Sequence, residues 1–338
     1  LRVTVLGVGA VGGRVVEALV ADPEVDTVTV VHREPAALTA RLALWREGTG
    51  DPAGKVQVRR GTPGQRLDGP GDVTVVAVPA AVRRSVLSAL DGGSHVVCPV
   101  DDPIDVRQLL ELDDRARTGG RTVAVGTAMA PGLSCVLARR LARQFDRVEE
   151  IHVASLGTGG PACARRHHAA LAGIALDWVD GTWRRRAGGS GRELVWFPEP
   201  VGGADCYRAA LADPLLLGPA FPASHRITAR LAATRRDRLT SWLPMLRPPH
   251  PEGLVGAVRI EMRGWVDGRP ESRILGAAAA PAAAAAAVTA LAVRWAAAGR
   301  LARPGAAGLA ELVSDPGRFL TELAGQGVSV SAFDGGAD

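Results

Sequence analysis

Tyrosine occurs once in this chain, phenylalanine five times and cysteine four times. With so few aromatics the interior falls to Leu, Val and Ala, which fill a core unaided, so a chain 47% hydrophobic and 22% charged still reads as globular. Cys98, Cys135, Cys163 and Cys206 lie far apart. Their spacing excludes the short-spaced pair of a structural zinc site and offers no disulfide scaffold. A strong excess of one charge is missing too: 40 basic residues stand against 35 acidic ones, scattered, for a formal charge of +5. No nucleic-acid surface is expected, although a local basic pocket for phosphate or carboxylate fits this balance.

Residues 1–8 are apolar but lack the basic region and cleavage site of a secretory signal, and they read as a strand. Residues 276–293 approach a membrane span in length, yet they are mostly Ala, contain Pro281 and run into Arg294. A buried helix is expected there, with no membrane partner and a cytoplasmic location. A Gly-x-Ser-x-Gly nucleophile elbow is also lacking, since Gly189-Ser190-Gly191 is a different pattern, so nucleophilic catalysis is not indicated.

What is present starts with Val3-Thr4-Val5-Leu6, a short apolar segment of buried-strand type, running into Gly7-Val8-Gly9-Ala10-Val11-Gly12 and then a helix. Gly7 permits the tight turn, Gly9 lets a pyrophosphate approach the backbone, and Gly12 lets the helix approach the sheet. The strand before and the helix after give this motif the context of a dinucleotide site, with amides of the helix start facing the phosphates. The second strand, residues 27–31, ends in His32-Arg33 in place of the acid that accepts the ribose hydroxyls of NAD. An Arg there pairs with a 2'-phosphate, so NADP is expected, with NAD as the lesser option. Further strands at 73–78, 95–98 and 122–125 alternate with helical runs at 81–90 and 106–117. That alternation predicts an α/β fold with a Rossmann-type, doubly wound parallel sheet that binds ligands at the carboxyl ends of its strands, Val78 and Pro79 among them. The polar stretch 46–65 reads as a surface excursion.

Beyond Gly126 the loop Thr127-Ala128-Met129-Ala130-Pro131-Gly132-Leu133-Ser134 precedes a helix expected over 135–144, with Ser134 available as its cap. Pro131 and Gly132 are assigned to the cofactor site, where the loop amides hold the carboxamide or a substrate carboxylate; a purely structural crossover is the alternative. A strand at 148–155 opens a second unit. Arg165-Arg166-His167-His168 is read at the start of a helix, where the dipole disfavours cations and a bound anion compensates. This cluster is therefore a candidate substrate-carboxylate site, with Arg165 a candidate clamp. Adjacent histidines point about 100° apart on a helix, so His167 and His168 cannot both ligate one metal, and no metal is expected. One of the two is a candidate for substrate contact or proton transfer, with His168 the one assigned, and ordinary surface or core histidines are the alternative. Asp205-Cys206-Tyr207-Arg208 gathers an acid, a thiol, a phenol and a guanidinium. Tyr207 is either a proton donor or a packed residue with its hydroxyl satisfied, Arg208 a second carboxylate clamp, and Asp205 a further candidate. Residues 258–263 and the Asp267-Gly268 turn predict a hairpin.

The order of these features resembles the saccharopine dehydrogenase-like family, nearly end to end. The resemblance rests on Gly7-Val8-Gly9-Ala10-Val11-Gly12, on His95-Val96-Val97 followed by Asp101-Asp102, and on the helix and strand of 116–126 leading into Ala130-Pro131-Gly132-Leu133. It rests too on the tail through Gly299, Pro304-Gly305, Glu311, Asp315-Pro316, Phe319-Leu320 and Gly327-Val328. It implies a dinucleotide-binding domain over 1–127, an α+β domain with a mixed sheet over 128–276 for substrate and dimerisation, and a helical segment over 277–338 returning to the first domain. It also implies a homodimeric, NADP-dependent oxidoreductase acting at a carbon–nitrogen or carbonyl centre of a small, amino-acid-like, carboxylate-bearing substrate. An inactive NADP-binding or sensing protein of the same fold is the alternative. Where saccharopine reductases carry an acid soon after the Pro-Gly, this chain has Ser134-Cys135, which argues against saccharopine itself as substrate.

Overall fold

The computed structural model describes residues 1–34, Leu38, 54–245 and 255–333. Among them, β1 (Arg2–Leu6), β2 (Thr27–His32), β3 (Val56–Arg60), β4 (Val73–Val76), β5 (His95–Cys98), β6 (Thr122–Val125) and the late strand β15 (Gly305–Gly308) form one sheet. Its order is β15-β6-β5-β4-β1-β2-β3, and every pairing is parallel. Val3, Val5, Val75, Val97 and Val123 are fully buried, the near-continuous apolar pattern of strands covered on both faces. The order reverses between β1 and β4, which opens a crevice at their carboxyl ends.

Helices Ala10–Val20 and Pro281–Ala297 pack on each other, and the second also lies on β4 and β5. Its alanines keep the spacing small, while Thr289 Oγ1 donates to the Thr127 carbonyl at 2.8 Å and ties it to the interdomain loop. The apolar run is thus a buried helix preceded by a strand end, and no helix of the described residues is long and apolar enough to cross a membrane. Within the polar stretch, residues 46–53 lie outside those described, but 56–60 form an edge strand of the first sheet. Gln57, Arg59 and Arg60 are not buried, so the strand shows no apolar run in sequence.

The second sheet contains β7 (Arg147–Leu156), β8 (Ile174–Val179), β9 (Thr182–Ala187), β10 (Glu193–Phe197), β11 (Gly202–Arg208), β12 (Arg226–Ala232), β13 (Gly256–Val266), β14 (Arg269–Ala279) and β16 (Ser329–Phe333). It runs β10-β11-β12-β7-β13-β14-β16, with the β8–β9 hairpin attached to β12. The β12–β7 pair is parallel and the rest are antiparallel, so the sheet is mixed. Asp267 and Gly268 close β13 onto β14 with φ of 50° and 73°, the left-handed pair that matches strand twist. The tail divides between the sheets: β15 joins the first and β16 the second. The helix after the Pro-Gly loop spans Leu133–Ala142, two residues earlier than expected, and Gly132 is its N-cap. Ser134 therefore sits inside the first turn, where its Oγ donates to Asp213 Oδ1 at 2.5 Å instead of capping the helix.

Candidate active site

A groove of about 500 Å³ follows the carboxyl ends of β1, β2 and β4. The expected cofactor residues Gly7, Val8, Gly9, Ala10, Val11, Gly12, His32, Arg33, Val78 and Pro79 all line it. Gly7, at φ 90°, faces the Ala77 carbonyl, and a Cβ on Gly12 would overlap the Gly7 carbonyl oxygen, so these two glycines build the turn. A Cβ on Gly9 would meet nothing within 4 Å, which leaves the space into which a phosphate comes. The helix that follows has no side-chain cap and no acid in its first turn, so nothing there repels an anion. Arg33 lies just past β2, exposed, at the same end of the groove as Gly61 and Pro63. These features fit a dinucleotide bearing a 2'-phosphate.

The opposite wall comes from the second domain, from helix Pro161–Ala170. This helix starts at Pro161, so Arg165, Arg166, His167 and His168 fall beyond its first turn, with both histidines in the last. There the dipole favours cations, and the inference of a compensating anion no longer holds. Arg165 still faces an anion-sized space, but it is the cofactor groove.

Where that groove ends, four side chains meet. Arg166 pairs with Asp101 Oδ1 at 2.6 Å; Asp101, from the loop after β5, has a side chain only 10% exposed. His167 Nε2 lies 3.9 Å from Asp101 Oδ2 and 3.6 Å from Cys163 Sγ. The ligand atoms of Asp101, Cys163 and His167 are all within 4.8 Å of one another. Burial lowers the pKa of His167, with the Asp101 carboxylate working the other way. Burial and the same carboxylate push the Cys163 thiol up. The cluster lines a small cavity of about 70 Å³ together with Ala128, Met129 and Ala130 of the interdomain loop. Pro131 and Gly132 are buried behind that loop: Ala130–Pro131 is cis, and a Cβ on Gly132 would overlap Ala128 backbone. They shape the loop and line neither the groove nor the small cavity.

Asp101, Arg166 and His167 also line an outer cavity of about 490 Å³ between the domains. Its walls carry Ile104, 65% exposed, from the first domain and Ile174, 46% exposed, from the second. Arg107 and Arg185 stand in the same cavity, and neither has an ion-pair partner among the described residues.

Four candidates from the sequence stand away from this junction. His168 Nε2 lies 3.1 Å from the Thr240 carbonyl oxygen and 3.2 Å from that of Leu243, which anchors the helix to a neighbouring segment. Tyr207 is 1% exposed on β11 under the Arg238 guanidinium, its hydroxyl unpartnered. Arg208 Nε is 3.4 Å from the buried Asp177 carboxylate, and Asp205 pairs with Arg192 at 2.9 Å. None of the four lines the groove or the two cavities. Asp101, Cys163 and Arg107 were missed as site residues, and Arg166 was read only as a member of the basic cluster, although Cys163 and His167 stand four apart, on one helix face, in the sequence itself.

A parallel sheet with a glycine-turn groove, facing a mixed-sheet domain across an interdomain cavity, defines the two-domain fold of dinucleotide-dependent dehydrogenases. No protein-family model and no curated protein matches the chain. Among solved structures it is similar to apo saccharopine dehydrogenase (L-Glu forming) from Saccharomyces cerevisiae, at 16% identity over 98% of this chain and 100% of that one, with a TM-score of 0.69. The chain therefore has the saccharopine dehydrogenase fold. DAP dehydrogenase of C. glutamicum in complex with DAP aligns at 12% identity over 94% of this chain and 95% of that one, TM-score 0.48. GenD2 of gentamicin A biosynthesis in complex with NAD aligns at 16% identity over 99% and 96%, TM-score 0.47.

Proposed function

We propose that this protein is an NADP-dependent oxidoreductase acting on a carbon–nitrogen or carbonyl centre of a small carboxylate-bearing substrate. The observation that carries the reading is the junction. Arg166 borders the glycine-turn groove, the small cavity and the outer cavity at once, and Asp101 and His167 stand beside it. Cofactor and substrate held in the two larger spaces meet at these side chains and nowhere else among those described. The bound nicotinamide supplies hydride. Gly7, Gly9 and Gly12 admit the pyrophosphate, and Arg33 pairs with the 2'-phosphate. Arg107 and Arg185 hold the substrate carboxylate, while Ile104 and Ile174 close over its apolar part and exclude water. The polar cluster of Asp101, Cys163, Arg166 and His167 takes the place by the reacting atoms that His168 and Tyr207 were given from sequence.

A homodimer in the cytoplasm belongs to the same proposal. Four free cysteines suit a reducing compartment, and the exposed Leu194 and Trp196 on edge strand β10 suit self-association. The test follows NADPH oxidation over a panel of 2-oxo acids with and without amines. Turnover on at least one member, with KM raised about tenfold or more by Arg107→Ala or Arg185→Ala, is expected. Tight NADPH binding with no turnover on any member would make the protein a sensor instead.

A further inference from the structure

We propose that Asp101, Cys163 and His167 form a zinc site at the junction of the cofactor groove and the substrate cavity, with its fourth position open. Cys163 and His167 are one turn apart on the same helix, so both side chains reach the same side, and Asp101 approaches from the loop after β5. A thiol, an imidazole and a carboxylate make up a donor set that selects zinc over magnesium or calcium, which take oxygen ligands.

The spacing of the three ligand atoms suits one ion as well as the hydrogen bonds that Cys163 makes within the cluster. Asp101 Oδ2 and His167 Nε2, at 3.9 Å, are too far apart to share a proton, while Cys163 Sγ is at hydrogen-bond distance for sulfur, 3.6 Å, from the same nitrogen. Two ligands of one tetrahedral zinc, with bonds of about 2.0 to 2.3 Å, are separated by roughly 3.3 to 3.6 Å, so small side-chain rotations close this triangle on a metal. Arg166 does not fill the gap: it engages Asp101 through Oδ1 and leaves Oδ2 turned toward the other two ligands. That is the outer contact by which a ligating carboxylate is held in orientation. On the other side of the imidazole, the buried Nδ1 has no hydrogen-bond partner among the described residues.

Three protein ligands and a vacant fourth position are the pattern of a catalytic zinc, not a structural one. The small cavity beside the cluster has room for a water or for one substrate atom. With thiolate, carboxylate, guanidinium and zinc together, the site carries one net positive charge. It polarises a C=O or C=N bond toward its heteroatom, so that hydride added at carbon sends the π electron pair to oxygen or nitrogen, which then takes a proton from a water held in the small cavity. This chemical use rests on the oxidoreductase reading, whereas metal binding itself does not.

The full-length protein, stripped with a chelator and dialysed, is titrated separately with Zn²⁺ and Co²⁺ while its metal content, absorption spectrum and melting temperature are followed. One zinc per chain, a raised melting temperature and a thiolate-to-cobalt charge-transfer band in the near ultraviolet are expected. Cys163→Ser and His167→Ala should abolish the band and the zinc-dependent rise in melting temperature. Asp101→Asn, which preserves side-chain volume, should weaken zinc binding about tenfold or more. Substoichiometric zinc, or a cobalt spectrum unchanged in Cys163→Ser, overturns the proposal. Failure to bind NADPH with zinc stoichiometric overturns only the oxidoreductase reading.

Discussion

Two neighbouring residues with the same side chain divide the labour of helix Pro161–Ala170. His167 points into the junction, and His168 is spent on two carbonyls of a segment more than seventy residues away. Sequence could say that adjacent helical histidines face different ways; it could not say which faces the site, because the deciding partners are distant in the chain. His168→Ala should therefore lower stability by about 1 kcal/mol and leave turnover close to wild type, as read by urea denaturation beside a rate assay. A large loss of turnover at unchanged stability would return His168 to the chemistry. Arg33 is different, because strand and motif point at it from sequence alone and the folded chain keeps it exposed on the groove. Arg33→Ala is expected to weaken NADPH about tenfold or more and NADH little, measured by fluorescence titration. Equal losses for both would remove the case for a 2'-phosphate.

The elements most legible in sequence are those whose burial matches their period. β1, β4, β5 and β6 are short apolar runs because both faces of the sheet are covered. β3 escaped because only Val56 of its five residues is fully buried. Asp205 and Arg208 of β11 are paired with Arg192 and with the buried Asp177, partners that a single strand cannot reveal. The helix starts at Leu133 and Pro161 were displaced because glycine N-caps, Gly132 and Gly160, leave no polar cap residue to read. The glycine turn allows a sharper test of what each glycine does. Gly12→Ala would drive a methyl into the Gly7 carbonyl and should cost several kcal/mol, whereas Gly9→Ala meets nothing and should leave the melting temperature unchanged. Gly9→Ala should nonetheless weaken NADPH by about tenfold or more, since its methyl stands where the pyrophosphate comes. Wild-type affinity in Gly9→Ala would place the phosphates elsewhere.

At the scale of the whole molecule, the glycine motif and strand alternation told of one doubly wound sheet. The partition of the tail between two sheets, like the meeting of Asp101 with Cys163, depends on pairings no local pattern encodes. The same long-range packing sets two opposed pH dependences. Asp213, buried beneath the interdomain loop, has its carboxyl pushed up from 3.8 to about 6 by burial, against the opposing hydrogen bond from Ser134. Its folded value is the higher one, so its contribution to stability is fully present below pH 3.8 and is lost as pH rises through about 6. Glu322 joins helix Pro316–Ala324 to Arg300 and Trp295; burial works against its charge, but hydrogen bonds from Arg300, Trp295 and Arg318 outweigh this and hold it near 2 instead of 4.5. Its contribution is present above pH 4.5 and is lost as pH falls through about 2. Asp213→Asn, which keeps an acceptor for Ser134, should be more stable than wild type at neutral pH by up to about 3 kcal/mol, with the gap closing in acid. Glu322→Gln should be less stable at neutral pH by about 2 kcal/mol, with its gap also closing, but only at still lower pH. Urea denaturation of the three proteins across this range separates the two. If Asp213→Asn gains nothing at neutral pH, the buried carboxyl is ionised at no cost, and the loop beside the junction is better solvated than its burial implies.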